Sequence, residues 1–334
     1  MGCRIDAYEC YKNSSFESGA KRRFQLIAIR GRVDAYGATM IWVIGNKGML
    51  GQELCIMLQA EKIPFTGTDR EVSILDKEAL ASFSAAKKPT FIVNCSGYTA
   101  VDKAEEDTTA AFALNRDGAA AIAALAGELG IPLLHISTDY VFPGTSPSPL
   151  EETAETGPAG VYGKSKLAGE EAVRERCPKH FIIRTAWLYG QYGPNFVYTM
   201  LKLMNSHESI KVVNDQHGSP TWTRDLASLI IHIIKTGSTN YGTYHFSGEG
   251  KCTWYDFARE IYRLGRSEGL ITTDCTITPC SSDEYPTPAK RPEYSLLSKE
   301  KVKKSFGFPV PNWKESLKEF MVIRLKSMIP FLNQ

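Results

Sequence analysis

Charge of one sign is scarce in this 334-residue chain: 39 Lys and Arg stand against 37 Asp and Glu, a formal charge of +2 at pH 7. No sequence-wide basic field therefore advertises nucleic acid or an anionic membrane, and a small-molecule substrate is the better expectation. The eight cysteines (Cys3, Cys10, Cys55, Cys95, Cys177, Cys252, Cys275 and Cys280) contain no C-x-x-C pair. That absence argues against a metal or redox centre of the usual spacing and reads them as reduced thiols of a cytoplasmic protein. Long apolar runs are missing too. The strongest, Leu226 to Ile234, is interrupted by His232 and falls far short of the roughly 20 residues that span a bilayer, so it reads as a buried helix segment. No internal repeat or long low-complexity segment is visible.

What is present is an ordinary globular composition, 43% hydrophobic and 23% charged, in a chain long enough for one large domain or a large and a smaller one. Residues 1–39 stand apart. They lack helical or strand periodicity and carry five Arg and two Lys against two Asp and two Glu. Four acids are more than an Arg-rich targeting leader usually holds, so this segment reads as a disordered extension or the product of an upstream translation start.

From Met40 onward, short apolar runs alternate with helical patterns, as in a parallel sheet covered on both faces. Strands are expected at Met40–Ile44, Pro64–Thr68, Thr90–Asn94, Leu133–Ser137, His180–Thr185 and Lys211–Val213. Helices are expected near Met49–Ala60, Asp76–Ala86, Thr108–Leu129, Val161–Arg176 and Asn195–Ser206. The fold class is α/β, a doubly wound Rossmann-type sheet over 40–210. After about Lys211 the alternation decays into turn clusters, which predicts a smaller substrate-binding lobe over 211–334 that returns strands or helices to the first domain.

The first strand runs into Gly45-Asn-Lys-Gly48-Met-Leu-Gly51 and then a helix. Gly45 suits the tight turn, Gly48 the approach of a pyrophosphate and Gly51 close helix–strand packing, with Lys47, Met49 and Leu50 in the same loop. Free N–H groups at the helix start would hold the phosphates of NADH or NADPH. Asp69 follows at the end of the next strand, where a carboxylate contacts the adenosine ribose and favours NADH. Its neighbour Arg70 is suited to the extra phosphate of NADPH, and the choice stays open.

Tyr162-Gly-Lys-Ser-Lys166 opens a helix, and the four-residue spacing puts Tyr162 and Lys166 on one face. An ammonium beside a phenol favours the phenolate, bringing a group of ordinary pKa near 10 toward working range as an acid–base catalyst. The strand Leu133–Ser137 ends in Ser137-Thr-Asp-Tyr140, where a hydroxyl could bind a substrate carbonyl; Thr138 is the choice and Ser137 the fallback. His135, inside that strand, reads as a satisfied core histidine. Trp187, by composition alone, reads as core packing, and Asp215 and Gln216 as polar turn residues. Arg291, beside Pro292 in the cap, is a candidate for a charged diphosphate.

These residues carry a resemblance. The glycine loop, Tyr162/Lys166 and the strand-end hydroxyl look like an extended short-chain dehydrogenase/reductase. The segments Val93–Glu105, Ser137–Gly144, Val161–Glu170, Asn214–Thr221 and Tyr285–Pro292 resemble dTDP-4-dehydrorhamnose reductases, over Met40 to about Phe320. The resemblance implies reduction of the 4-keto group of dTDP-6-deoxy-L-lyxo-4-hexulose to dTDP-L-rhamnose. It implies Thr138, Tyr162 and Lys166 as catalytic residues, with Lys166 also on the nicotinamide ribose. Cys95, Ser96, Gly97 and Tyr98 then line the cofactor and the mouth of the site, and Trp187 contacts the sugar. Some relatives form magnesium-bridged dimers through glutamates; Glu53 matches one such position, but no counterpart is found around Arg224, so the ligand set for magnesium is incomplete and a homodimer is left open. Two alternatives remain at this point. A nucleotide-sugar epimerase or dehydratase shares the fold and motifs, and so does a non-catalytic regulatory subunit like the beta subunit of methionine adenosyltransferase.

Overall fold

The computed structural model describes residues 39–146 and 148–332. The expectation for 1–39 therefore lies, but for Thr39, outside the described residues. Six strands form the central sheet: β1 (Ile41–Ile44), β2 (Phe65–Thr68), β3 (Phe91–Asn94), β4 (Leu133–Thr138), β5 (His180–Thr185) and β6 (Gly242–His245). All pairs are parallel, in the order β6-β5-β4-β3-β1-β2. Strands buried on both faces need no alternation, and the segments Ile41-Trp-Val-Ile44 and Phe91-Ile-Val-Asn94 are buried at every position.

Helices α1 (Met49–Ala60), α2 (Lys77–Lys87), α3 (Thr108–Phe112), α4 (Ala119–Leu129) and α5 (Val161–Arg176) follow the strands of the first half. The start of α2 is fixed by Asp76, whose carboxylate accepts the Ala79 amide at 2.9 Å. One helix expected over 108–129 is instead divided, because residues Ala113–Gly118 form a π-helical turn between α3 and α4. The sequence there, Ala-Leu-Asn-Arg-Asp-Gly, ends in the weak helix formers Asp-Gly, and its Asn115 side chain and carbonyl are drawn into the site described below.

One expectation for the C-terminal half needs correcting. Lys211–Val213 is part of a strand, Ser209–Val213, but it pairs in parallel with Thr276–Cys280 in a separate two-stranded sheet. The sixth central strand is β6, which lies at the edge beside β5. Helices α6 (Phe196–Ser206), α7 (Thr223–Thr236) and α8 (Trp254–Ser267) complete this half with two later helices, Glu300–Phe306 and Trp313–Leu332. Helix α7 buries Leu226, Leu229, Ile230 and Ile233 in one cluster with Ile41, Val43 and Leu54, so it belongs to the sheet's own core. Helices α6 and α8 share a second cluster, around Met204, Phe257 and Ile261. Among the described residues no helix is long and apolar enough to cross a membrane.

Candidate active site

The register of the sheet brings the predicted site residues to one edge. Ile44 aligns with Thr68 and Asn94, and Asn94 with His135. Gly45, Asp69 and Cys95 therefore leave their strands side by side at the carboxyl edge, with Thr138 three residues beyond His135 on β4. Ligands of open α/β sheets sit beyond this edge.

Gly45 has φ +80°, a conformation that residues with a side chain seldom adopt, and a Cβ there would lie 2.7 Å from the Ser96 amide nitrogen. A Cβ on Gly51 would strike the Gly45 carbonyl oxygen. The turn is thus kept bare, and the first amides of α1 (Met49, Leu50, Gly51) lack intrahelical acceptors, as a pyrophosphate requires. The Leu50 side chain is 5% exposed and packs in the core, so only its backbone can serve a ligand. Lys47 is exposed and bonded to Glu71 at 2.9 Å, and Glu71 also accepts the Asp69 amide. Those contacts, the Lys47 bond first, hold the Glu71 carboxyl down at about 2. Asp69 is half-buried beside an exposed Arg70.

The loop after β3 is tied in from both sides. The Ser96 amide and hydroxyl both donate to Asn94 Oδ1, at 3.0 and 2.6 Å. Asn94 Nδ2 meets His135 Nδ1 at 3.0 Å. His135 is buried as expected, but its Nε2 has no partner among the described residues, so it is satisfied on one nitrogen only. Burial raises the Cys95 thiol far above its ordinary pKa, so Cys95 lines the loop as a neutral group.

Helix α5 begins after Gly160, and its first amide, Val161 N, donates to Glu105 Oε1 at 2.9 Å. Lys166 is 5% exposed and its Nζ donates to the Ile136 carbonyl at 2.6 Å. Burial lowers its pKa to about 8, against the opposing pull of Glu170. A Cβ on Gly97 would lie 3.8 Å from Lys166 Nζ, so the same loop borders both the glycine turn and this ammonium. The Tyr162 ring meets Tyr140 edge-on at 5.5 Å. Burial raises the Tyr162 phenol to about 12, and the Thr138 hydroxyl acts the other way. This corrects the expectation that Lys166 depresses Tyr162: the ammonium is turned onto Ile136 and burial dominates, leaving the phenol protonated and able to donate.

Three comparisons with known proteins agree. The family model described as the RmlD substrate binding domain matches residues 39–325. The chain belongs to the dTDP-4-dehydrorhamnose reductase family. A dTDP-4-dehydrorhamnose reductase of Salmonella typhimurium is 38% identical over 293 residues, covering 84% of this chain and 96% of that protein. The solved structure of the Clostridium acetobutylicum reductase is 42% identical with a TM-score of 0.80, covering 85% of this chain and 99% of the other. That of the Bacillus anthracis reductase, in complex with NADP, is 36% identical with a TM-score of 0.80, again over 85% and 99%. The expected fold and the expected family are both borne out.

Within this reductase the remaining predicted residues divide. Trp187 has φ 49° and stacks on Trp254 with ring centroids 3.7 Å apart, over the backbone of Gly218. A bulky residue held at positive φ stores strain that neighbouring packing must impose, and the indole is half-buried. Arg291 lies beside Tyr140 and is forked onto Asp102 at 2.8 and 2.9 Å. Asp215 accepts both the amide and hydroxyl of Ser282, and Gln216 donates to the same hydroxyl, as polar turn residues do. Glu53 is 2% exposed and takes Arg224 Nε at 2.8 Å, while the Arg224 guanidinium sits 5.1 Å from the Trp222 ring centroid. A carboxylate committed to arginine is a poor magnesium ligand, and no cluster of three metal-type ligands occurs among the described residues.

Two residues of the site were given no role of their own from the sequence, Glu105 entering only as the end of the segment Val93–Glu105. Asn115, in the π-helical turn, accepts the Tyr98 amide at 2.8 Å and donates to the Tyr98 carbonyl and to Ser165 Oγ at 3.1 and 2.9 Å. It joins the loop after β3 to α5, and Gly169 allows α5 to approach the Asn115 carbonyl. The weak helix formers Asn115, Asp117 and Gly118 were the available signal. Glu105, which caps α5 from 56 residues away, gave none.

Proposed function

We propose that this chain catalyses NAD(P)H-dependent reduction of the 4-keto group of dTDP-6-deoxy-L-lyxo-4-hexulose, giving dTDP-L-rhamnose, with Thr138, Tyr162 and Lys166 as its catalytic residues. The observation that carries it is the placement of the buried Tyr162 phenol beside Thr138 at the sheet's carboxyl edge, with Lys166 bordering the loop that meets the glycine turn. Gly45, Gly48 and Gly51, with Lys47, Met49, Leu50, Asp69 and Arg70, form the cofactor side, and Cys95, Ser96, Gly97 and Tyr98 its inner wall. When bound there, the dihydronicotinamide supplies a hydride to C4 of the sugar. Tyr162 donates its phenolic proton to the 4-keto oxygen, so that the carbonyl gains one hydride and one proton and becomes an alcohol. The Thr138 hydroxyl binds the same oxygen, and Lys166 holds the nicotinamide ribose.

Trp187 and Arg291 would contact the sugar and the diphosphate from the other side of the cleft. The near-balanced charge and the six unpaired cysteines among the described residues fit a cytoplasmic enzyme acting on a small molecule rather than on nucleic acid. NADH and NADPH are both candidates, and a homodimer remains compatible with this reading.

The test supplies purified protein with the 4-keto sugar nucleotide and NADH or NADPH, following coenzyme absorbance and product together. One coenzyme oxidised per keto sugar reduced is expected. Consumption of the keto sugar without coenzyme oxidation would place the chain with epimerases or dehydratases instead. In Tyr162→Phe, turnover should fall by roughly 10²–10⁴-fold with coenzyme affinity retained.

A further inference from the structure

Asp139 follows Thr138 at the end of β4 and is 2% exposed. Its Oδ1 accepts the Thr138 hydroxyl at 3.0 Å, while Thr138 Oγ1 in turn accepts the Tyr140 amide at 3.2 Å. Its Oδ2 is buried with no hydrogen-bond partner of normal geometry among the described residues. No arginine or lysine is paired with it among the ion pairs of the described residues. A buried carboxylate with no cationic partner among these ion pairs has a reason to be there.

A hydroxyl has one proton. While Asp139 is ionised, the Thr138 proton is held on Oδ1, and Thr138 can only accept. When Asp139 is protonated, its own O–H can donate to Thr138 Oγ1, which releases the Thr138 proton. We propose that Asp139 is a positioning residue for the reduction, its carboxyl deciding through Thr138 whether the Thr138 hydroxyl can donate to the substrate's 4-keto oxygen. This rests on the assignment of Thr138 and Tyr162 as catalytic residues.

The surroundings make the protonated form accessible. Burial raises the Asp139 carboxyl to about 6, against the Ser295 and Thr138 hydroxyls and the backbone amides of Asp139 and Tyr140. The other titratable groups around it are the phenols of Tyr162 on α5 and Tyr140, both raised by burial, and beyond Tyr140 the mutually neutralising pair Arg291–Asp102. Lys166, on the same face of α5 as Tyr162, is engaged by Ile136.

The experiment compares wild type, Asp139→Asn, Thr138→Val, the double variant and Tyr162→Phe. Each is measured by kcat against pH with NADPH and the 4-keto sugar nucleotide, by coenzyme binding through fluorescence, and by Tm against pH without ligand. The wild-type kcat should fall by on the order of tenfold as pH rises through the Asp139 transition, a limb that Asp139→Asn lacks while binding coenzyme normally. The Tm of Asp139→Asn should likewise lose the wild-type slope in that range. The double variant should be no slower than Thr138→Val, because the carboxyl acts through that hydroxyl. A wild-type limb in Asp139→Asn, or additive losses in the double variant, overturns the proposal. Full turnover in both Thr138→Val and Tyr162→Phe would instead overturn the catalytic assignment beneath it.

Discussion

Arg184 on β5 and Glu170 on α5 make a fork in the core, with Arg184 Nε and Nη2 donating to the two carboxylate oxygens at 2.8 and 2.7 Å. Their side chains are 2% and 0% exposed. Arg174 adds a bond to Glu170 at 2.6 Å from the solvent side, and the Arg184 guanidinium also lies 4.9 Å from the Phe142 ring centroid. Substituting Arg184→Met removes the buried cation and leaves the carboxylate with only the peripheral arginine. Breaking a buried pair in this way costs about 3–5 kcal/mol, because the remaining charge has lost both water and partner. For a domain of this class that corresponds to a Tm lower by roughly 10 °C. Converting both members, Glu170→Leu with Arg184→Met, removes the stranded charge and should recover most of the loss. It should also leave a functional signature. Glu170 lies one turn after Lys166 and supports its charge against burial. Without that carboxylate the Lys166 pKa drops below about 8, so the cation is lost sooner as pH rises and the alkaline fall in kcat/KM moves to lower pH. Urea unfolding at constant m and a pH–rate profile read the two effects separately. A single-variant loss under about 1 kcal/mol, or a double variant weaker than the single, would refute the reasoning.

Three further outcomes follow from the same geometry. Gly51→Ala forces a methyl against the Gly45 carbonyl, so the glycine turn must open; the expected loss is about 1–3 kcal/mol of stability together with a large rise in the coenzyme dissociation constant, and unchanged coenzyme binding by calorimetry would contradict it. Arg70→Ala should weaken NADPH binding by roughly tenfold and leave NADH within about twofold, since a guanidinium serves only the additional phosphate; equal effects on both coenzymes would remove Arg70 from that role. For Asp139, lifting a carboxyl from 3.8 to about 6 means that the ionised form costs about 3 kcal/mol. The folded protein binds the proton more tightly than the unfolded chain, so stability is lost as pH rises from near 4 through 6, and Asp139→Asn should be more stable than wild type at pH 8. A less stable variant there would show that the carboxylate is better satisfied than the structure indicates.

The Rossmann half was legible because its signals are local. Ile41-Trp-Val-Ile44 and Phe91-Ile-Val-Asn94 are continuous apolar runs bounded by Gly and polar turns, and such runs suit strands covered on both faces. Ser209–Val213 differs from them in the structure, where only Val212 is buried, as in a half-covered strand of a small lobe; its short apolar end, Val212-Val213, does not reveal that in the sequence. Strand β6, Gly-Thr-Tyr-His, has no apolar run at all. It is an edge strand whose place is set by pairing with β5 and by the aromatic contact of Tyr244 with Phe306, both long-range facts absent from any window of sequence.

The site divides along the same line. Gly45, Gly51, Tyr162 and Lys166 are recognisable because backbone conformation and helical spacing tie each to its role within a few residues of chain. Asn115, Glu105 and Asp139 act through partners or burial that only the assembled fold creates: a loop 17 residues back, a helix start 56 residues on, and a pocket closed over a strand end. Even Lys166, placed correctly by spacing, differs in what it does to its neighbour, because spacing fixes a face while the Ile136 carbonyl fixes where the ammonium points. Burial then sets the sign of the Tyr162 shift. A phenol kept protonated until the keto oxygen demands its proton is what a reduction needs, whereas a phenolate prepared in advance would serve the reverse oxidation, so the correction strengthens the reductase reading from which it departs.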